Sequence, residues 1–352
     1  MQRVGILGLG MHLPPTVRTN DWWPEDVVAR WRAPIGAPPP AGDLSETGLE
    51  IVAKMSAQVR DPFQGSRRRH VLGHDESILD IQVAAARSAL ARADVRESEI
   101  DLLLTCTTPV DYQLTNSACE LHYALGLPVS CFSLHVDGAQ HGFMLQLALA
   151  ESMIASGRAR RALIVQASGA SRLVDPASPM SAVFGDGATA AVLGHVSTNR
   201  GILSSTHRTD GRLPNTLVAT VPGKRWYDDG RALLHLQDPL GMRDILLRTV
   251  DVSKESILAA LELAGLTPAD VDVLAMHQGM PWLRELVQQH SGLAHTRSIE
   301  TFTETAHLFA AFVPSNLVAA QDAGILADND VVVLAGGGNG MTYGAAILRW
   351  GR

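Results

Sequence analysis

Short apolar runs alternate along the chain with Ala-rich or amphipathic stretches, and glycines and prolines punctuate the joins. Residues 4–9 read as a buried strand that ends in glycines and then Leu13-Pro14. The same brief apolar pattern recurs at residues 102–106, 162–166, 188–193, 271–276, 331–334 and 345–350, each predicted to be a strand. Residues 80–93, 118–125 and 257–264 read as helices. Residues 142–156 are apolar on nearly every face, which predicts a helix buried on all sides. Residues 33–43, with Pro38, Pro39 and Pro40 in a row, read as an extended surface loop inserted between elements. Strands and helices alternate throughout, so the expected class is α/β.

The pattern repeats. Ala89-Leu90, Ala93, Val95, Glu99-Ile100-Asp101-Leu102-Leu103 and Cys106 match Ala260-Leu261, Ala264, Leu266, Asp270-Val271-Asp272-Val273-Leu274 and His277 at a constant offset of 171 residues. Ile164-Val165 and Gly169 match Val333-Leu334 and Gly338 at an offset of 169. An offset of 167 between these pairs Gln140 with His307. Units in the same order at nearly the same offset predict a duplicated fold, residues 1–200 and 201–352. Equivalent strand ends and helix starts would then meet at the centre, where a site is expected.

Candidate chemistry gathers at those joins. Leu134-His135-Val136-Asp137-Gly138-Ala139-Gln140-His141-Gly142-Phe143 reads as a strand turning sharply into the apolar helix. Met276-His277-Gln278 ends a strand, and Glu304-Thr305-Ala306-His307-Leu308-Phe309-Ala310-Ala311 starts a helix. Phe184-Gly185-Asp186-Gly187-Ala188 and the run from Gly336 to Gly344 lie around them in sequence order. His135 and His141 flank Gln140, but no Cys or carboxylate spacing supports a metal site there. The glycines at 336–340 lead into a strand, not a helix, so they lack the geometry of a dinucleotide loop.

With the opening Gly5-Ile6-Leu7-Gly8-Leu9-Gly10, Asn20, Arg68-Arg69, Thr107-Thr108-Pro109 and Asn116-Ser117-Ala118-Cys119, these motifs resemble β-ketoacyl-acyl-carrier-protein synthase III over nearly the whole chain. The resemblance implies a thiolase-like fold, two duplicated halves in a five-layered αβαβα arrangement, and a homodimer. It implies an acyl-carrier-protein or CoA thioester as substrate and no further cofactor.

The departures carry the functional expectation. The resemblance places the family's nucleophilic cysteine at Gln140, its catalytic histidine at His277 and its asparagine at His307. The His307 motif is similar instead to the second histidine of chain-elongating ketosynthases. Asn339, with Gly340, falls where a backbone N–H of the family helps form the acyl oxyanion hole. Asn tolerates left-handed backbone, so that donor is expected to survive. Phe309 replaces a small residue and is expected to narrow the substrate pocket. A carboxamide cannot accept an acyl chain as a thiolate does. A glutamine at this place also resembles decarboxylating ketosynthase domains that open modular polyketide assembly. The leading expectation is decarboxylation of a malonyl-type thioester, with Gln140, His277 and His307 as the catalytic set. Two alternatives stay open: acyl transfer with His277 as general base, and a catalytically silent subunit paired with an active synthase.

Composition adds boundaries. The chain has 352 residues, 46% of them hydrophobic and 18% charged, enough for a large core. A net charge of −7 argues against nucleic acid as a partner. Arg67-Arg68-Arg69 and Arg158, Arg160 and Arg161 read as solvated faces, one of which would dock an acidic carrier protein. No targeting segment or membrane span is expected, and 3 cysteines fit a reducing cytoplasm. Cys106, Cys119 and Cys131 all fall away from the nucleophile position, and Cys106 is expected to be packing.

Overall fold

The computed structural model describes residues 2–32 and 44–352; the loop expected at 33–43 lies outside the described residues. Two sheets carry the fold. The first is ordered Arg3–His12, Asp186–Val196, Ala162–Gly169, Leu102–Thr108 and Phe132–His135. The second is ordered Gly201–Thr209, Thr342–Arg349, Val331–Gly338 and Val273–Met276. Strand for strand the first four members correspond, with the same parallel and antiparallel pairings. The fifth strand of the first sheet has a remnant counterpart in the second, a single parallel bridge from Val273 to Arg297.

Five layers follow from which face each residue takes. Leu102, Leu104, Ala162 and Ile164 point inward, with Val273, Ala275, Val332 and Leu334 of the second sheet, onto Gly142–Ala155 and Phe312–Asp322, the two central helices. Leu103, Leu163 and Val165 point outward to the helix Ile78–Ala93. Leu274, Val331 and Val333 point outward to the helix Pro239–Ala264. Strands buried on both faces read as unbroken apolar runs, which explains why periodicity found them.

Several expectations need correction. The helix Gly142–Ala155 is sealed only through its first turns; Leu149 is 42% exposed and Ser152 also reaches solvent. The helix expected at 257–264 begins at Pro239, with Asp238 as its cap and Pro at its first position. Arg69 is not on a solvated face. It is fully buried, donates to Asn20 Oδ1 and Ser66 Oγ, each at 2.8 Å, and lies over the Trp23 ring.

The strand Arg3–His12 lies tight against the helix Ile78–Ala93. A methyl group added at Gly8 would stand 2.6 Å from the Ala89 carbonyl oxygen, a backbone atom that cannot swing away. Gly8→Ala is therefore expected to lower stability by about 1–3 kcal/mol through overpacking, read as a lower urea midpoint at unchanged slope.

Candidate active site

Two strand-to-helix turns, one per half, build the centre. In the first, Asp137 Oδ1 accepts from the Ala139 N–H at 3.0 Å, and Ala139–His141 form a single tight turn ahead of Gly142. In the second, His307 Nδ1 accepts from the Phe309 N–H at 3.2 Å, and Phe309–Ala311 form the matching turn ahead of Phe312. Ala139 and Phe309 both hold positive φ, 45° and 48°. The turns correspond at an offset of 170, so Gln140 is equivalent to Ala310 and Asp137 to His307. This corrects the sequence pairing of Gln140 with His307: the two residues meet at the site from different turn positions.

The strand Val331–Gly338 reaches the first turn through Gly338. A Cβ there would stand 2.7 Å from the Gly138 carbonyl oxygen and 3.2 Å from the Gln140 nitrogen. This close approach delivers the Asn339 N–H to the Gln140 side chain, where it donates to Oε1 at 3.0 Å. Asn339 is not in the left-handed region; Gly340 is, at φ 94°. Gly340 shapes the turn and does not line the cavity, contrary to the expectation that it binds substrate.

His277 follows the strand Val273–Met276, its N–H bonded to the Ala335 carbonyl at 2.9 Å. Its Nε2 faces His307 Nε2 at 2.6 Å. The bond from Phe309 makes His307 Nδ1 an acceptor, so His307 carries its proton on Nε2. His277 Nε2 must then accept, and its own proton sits on Nδ1. Burial pulls His277 down to about 4. Burial, and then the neighbouring His277, hold His307 well below the ordinary histidine range. Both imidazoles are neutral at neutral pH.

Gln140, His277, His307 and Asn339 line one cavity of about 320 Å3. Its walls include Met180, Met242, Met276, Met280 and Met341, and among the described residues no Asp, Glu, Lys or Arg lines it. Sequence reasoning missed this wall, because its members come from separate elements and no local pattern joins them. Thr249 and Ser253 add polar atoms from the middle of the helix Pro239–Ala264. Phe309 is not in the lining. It is buried behind His307 and stacks on Phe184.

Cys106 is buried under the Gly142 helix start, and burial pushes its thiol up to about 12. Cys131 is also buried, and burial pushes its thiol up to about 11. Neither supplies a thiolate at neutral pH. His141, unassigned by the motifs, bonds through Nδ1 to the Gly336 carbonyl at 3.1 Å and meets His207 at 3.3 Å. Among the described residues no group of three or more potential metal ligands is gathered. No described helix is long and apolar enough to cross a membrane.

The paired sheets and central helices are those of thiolase-like proteins. Solved structures with this fold include the 3-oxoacyl-(acyl carrier protein) synthase III of Pseudomonas aeruginosa, 26% identical with a TM-score of 0.80, covering 100% of this chain and 99% of that one. The priming β-ketosynthase of the R1128 polyketide pathway, 24% identical over 99% of this chain and 96% of its own, shares the fold with a TM-score of 0.81. Models of 3-oxoacyl-[acyl-carrier-protein] synthase III match residues 135–211, and of its C-terminal part residues 261–350. The β-ketoacyl-[acyl-carrier-protein] synthase III of Bacillus pumilus is 31% identical over 349 residues, 99% of each chain. The chain belongs to the 3-oxoacyl-[acyl-carrier-protein] synthase III family.

The neutral histidines make acid a specific threat. From about pH 6.5, the ordinary histidine value, down to about 4, the unfolded chain takes up a proton at position 277 that the folded chain refuses. Stability is expected to fall as pH drops through this window. His277→Asn should flatten the dependence measured by urea titration at each pH.

Proposed function

We propose that the protein decarboxylates a malonyl-type thioester without forming an acyl-enzyme. The observation that carries this reading is the bond from the Asn339 N–H to Gln140 Oε1. The carboxamide oxygen takes the place that an acylated cysteine's carbonyl would occupy, so the site imitates the loaded state of a condensing enzyme. Losing carbon dioxide breaks the bond between the carboxylate and the α-carbon. The electron pair moves into the thioester, and negative charge grows on its oxygen. His307 already carries an Nε2 proton; His277 offers one once the substrate oxygen enters between the rings and its proton shifts from Nδ1. Donors aimed at that oxygen in a cavity walled mostly by apolar side chains favour the enolate. A solvent proton then gives the acetyl thioester.

A general base pulled down to about 4 accepts protons poorly at neutral pH, so the same pair serves acyl transfer by base catalysis less well. A silent subunit would have no use for two imidazoles buried at 2.6 Å beside an open cavity, an arrangement that costs desolvation. The neutral, methionine-rich wall suits the uncharged arm of a pantetheine thioester, carried by an acyl carrier protein or CoA.

With malonyl thioester and detection of carbon dioxide, His277→Ala should lose about a hundredfold to a thousandfold in turnover, the range for an oxyanion donor, and Gln140→Ala should lower turnover by vacating the acyl site that its carboxamide fills. Gln140→Cys should instead become acylated by acetyl-CoA, seen as a mass adduct. Absence of turnover in the unaltered protein with either carrier contradicts the proposal. For assembly, we propose a homodimer covering the free edge Phe132–His135, where Phe132 and Leu134 are exposed beside a fully exposed Leu114. Sedimentation equilibrium should give twice the chain mass, and Leu134→Lys should shift it toward the monomer; a monomeric unaltered protein contradicts this.

A further inference from the structure

His141 follows Gln140 in the first turn, is fully buried, and does not line the catalytic cavity. Its ring comes to rest on the second sheet. Gly336, Gly344 and His207 stand opposite one another on three adjacent strands, so they form one row across that sheet. Residues paired across a ladder share a face. Two members of the row have no side chain, and the His141 ring takes the space they leave. A Cβ on Gly344 would stand 3.3 Å from His141 Cε1, and one on Gly336 would stand 3.9 Å from its Nδ1. His207 closes the end of the row, its ring edge to face with His141 at 5.5 Å between centroids.

Each ring nitrogen of His141 has a fixed role. Nδ1 lies 3.1 Å from the Gly336 carbonyl oxygen, which only accepts, so Nδ1 carries the proton. Nε2 then accepts, and His207 Nδ1 donates to it at 3.3 Å. Burial, and then the neighbouring His207, pull His141 down to about 3, so the ring is neutral at neutral pH. Both nitrogens are engaged by protein groups, and neither is free for substrate. Two bonds thus cross one seam in opposite directions. The His141 side chain holds the Gly336 carbonyl, and the Asn339 N–H holds the side chain of the preceding residue, Gln140. A phenyl ring would fill the same slot and supply no donor, so packing alone does not call for an imidazole.

We propose that His141 is a positioning residue for this site. Its Nδ1–H bond to Gly336, kept in that tautomer by His207, sets the end of the strand Val331–Gly338 so that the Asn339 N–H meets the Gln140 carboxamide. His141 touches no reacting atom and acts through Gln140. Its effect on rate rests on the decarboxylation proposed above, whereas its effect on the seam does not.

The test compares His141→Phe, which keeps a ring in the slot without a donor, with His141→Asn, whose amide nitrogen is bonded to Cγ as Nδ1 is and donates in its place. Hydrogen exchange at the Asn339 amide is read alongside turnover of malonyl thioester. The amide should be protected in the unaltered protein. In His141→Phe it should exchange at least about tenfold faster, and kcat should fall about tenfold to a hundredfold with KM little changed, the scale on which misplacing a group slows a reaction. His141→Asn should return both readings most of the way to those of the unaltered protein. Loss of packing alone would instead leave the smaller Asn variant the more impaired. The proposal is overturned if folded His141→Phe keeps the Asn339 amide protected or kcat unaltered, or if His141→Asn is impaired as badly. Ring-nitrogen NMR shifts of His141 in the unaltered protein cover the case of a poorly folded variant: a proton on Nδ1 is expected, and one on Nε2 overturns the proposal. Absence of turnover in the unaltered protein contradicts the decarboxylase reading, while the amide and ring-nitrogen measurements still judge the positioning.

Discussion

The centre of this molecule depends on how closely the strand Val331–Gly338 approaches the turn that carries Gln140. Gly338 has no side chain, and the space a Cβ would need is filled by the backbone of Gly138, Gln140 and His141. That contact joins the two halves where a strand end of the second meets a helix start of the first. The Asn339 N–H and the Gln140 carboxamide come into register because of it. The rest of the fold serves this approach: two sheets with matching strand orders hold the central helices back to back, so both helix-initiating turns face one cavity.

The duplicated turns show how one backbone device supports two chemistries. In each, a side chain accepts from the N–H two residues on, and the next turn begins with a positive φ. In the first half the accepting side chain is a carboxylate, Asp137, and the turn presents Gln140. In the second half the acceptor is an imidazole, His307, so the same local bond fixes a tautomer and points an N–H toward the neighbouring histidine. The corresponding turn position there is Ala310, which presents nothing. Catalytic potential is divided unequally between halves of equal topology. A thiolate is absent because no cysteine takes the turn position, and because burial keeps Cys106 protonated beneath it.

Much of this was legible in the sequence. Strands buried on both faces leave continuous apolar runs, so most members of both sheets could be read directly. The edge strand Gly201–Thr209 could not, because Ser204, Ser205 and Thr206 break its apolar pattern. The first half of the helix Pro239–Ala264 was hidden by Arg243, Asp244, Arg248 and Asp251, though it supplies Met242, Ile245 and Leu246 to the cavity. Gln140, His277, His307 and Asn339, which the structure brings to one cavity, could be singled out because each sits at a strand end or helix start inside a recognisable motif. Gly340 and Phe309 were expected at the substrate pocket but are not in the cavity lining, since motif position says nothing of which way a residue turns. The methionine wall left no local trace at all.

A single turnover in deuterated water tests the central claim most directly. Malonyl thioester is mixed with the protein, and product and intact protein are weighed together by mass spectrometry. The proposed decarboxylation predicts carbon dioxide, an acetyl thioester carrying solvent deuterium at its methyl carbon, and a protein of unchanged mass. An acyl adduct on the protein, or malonyl thioester returned intact, would contradict it.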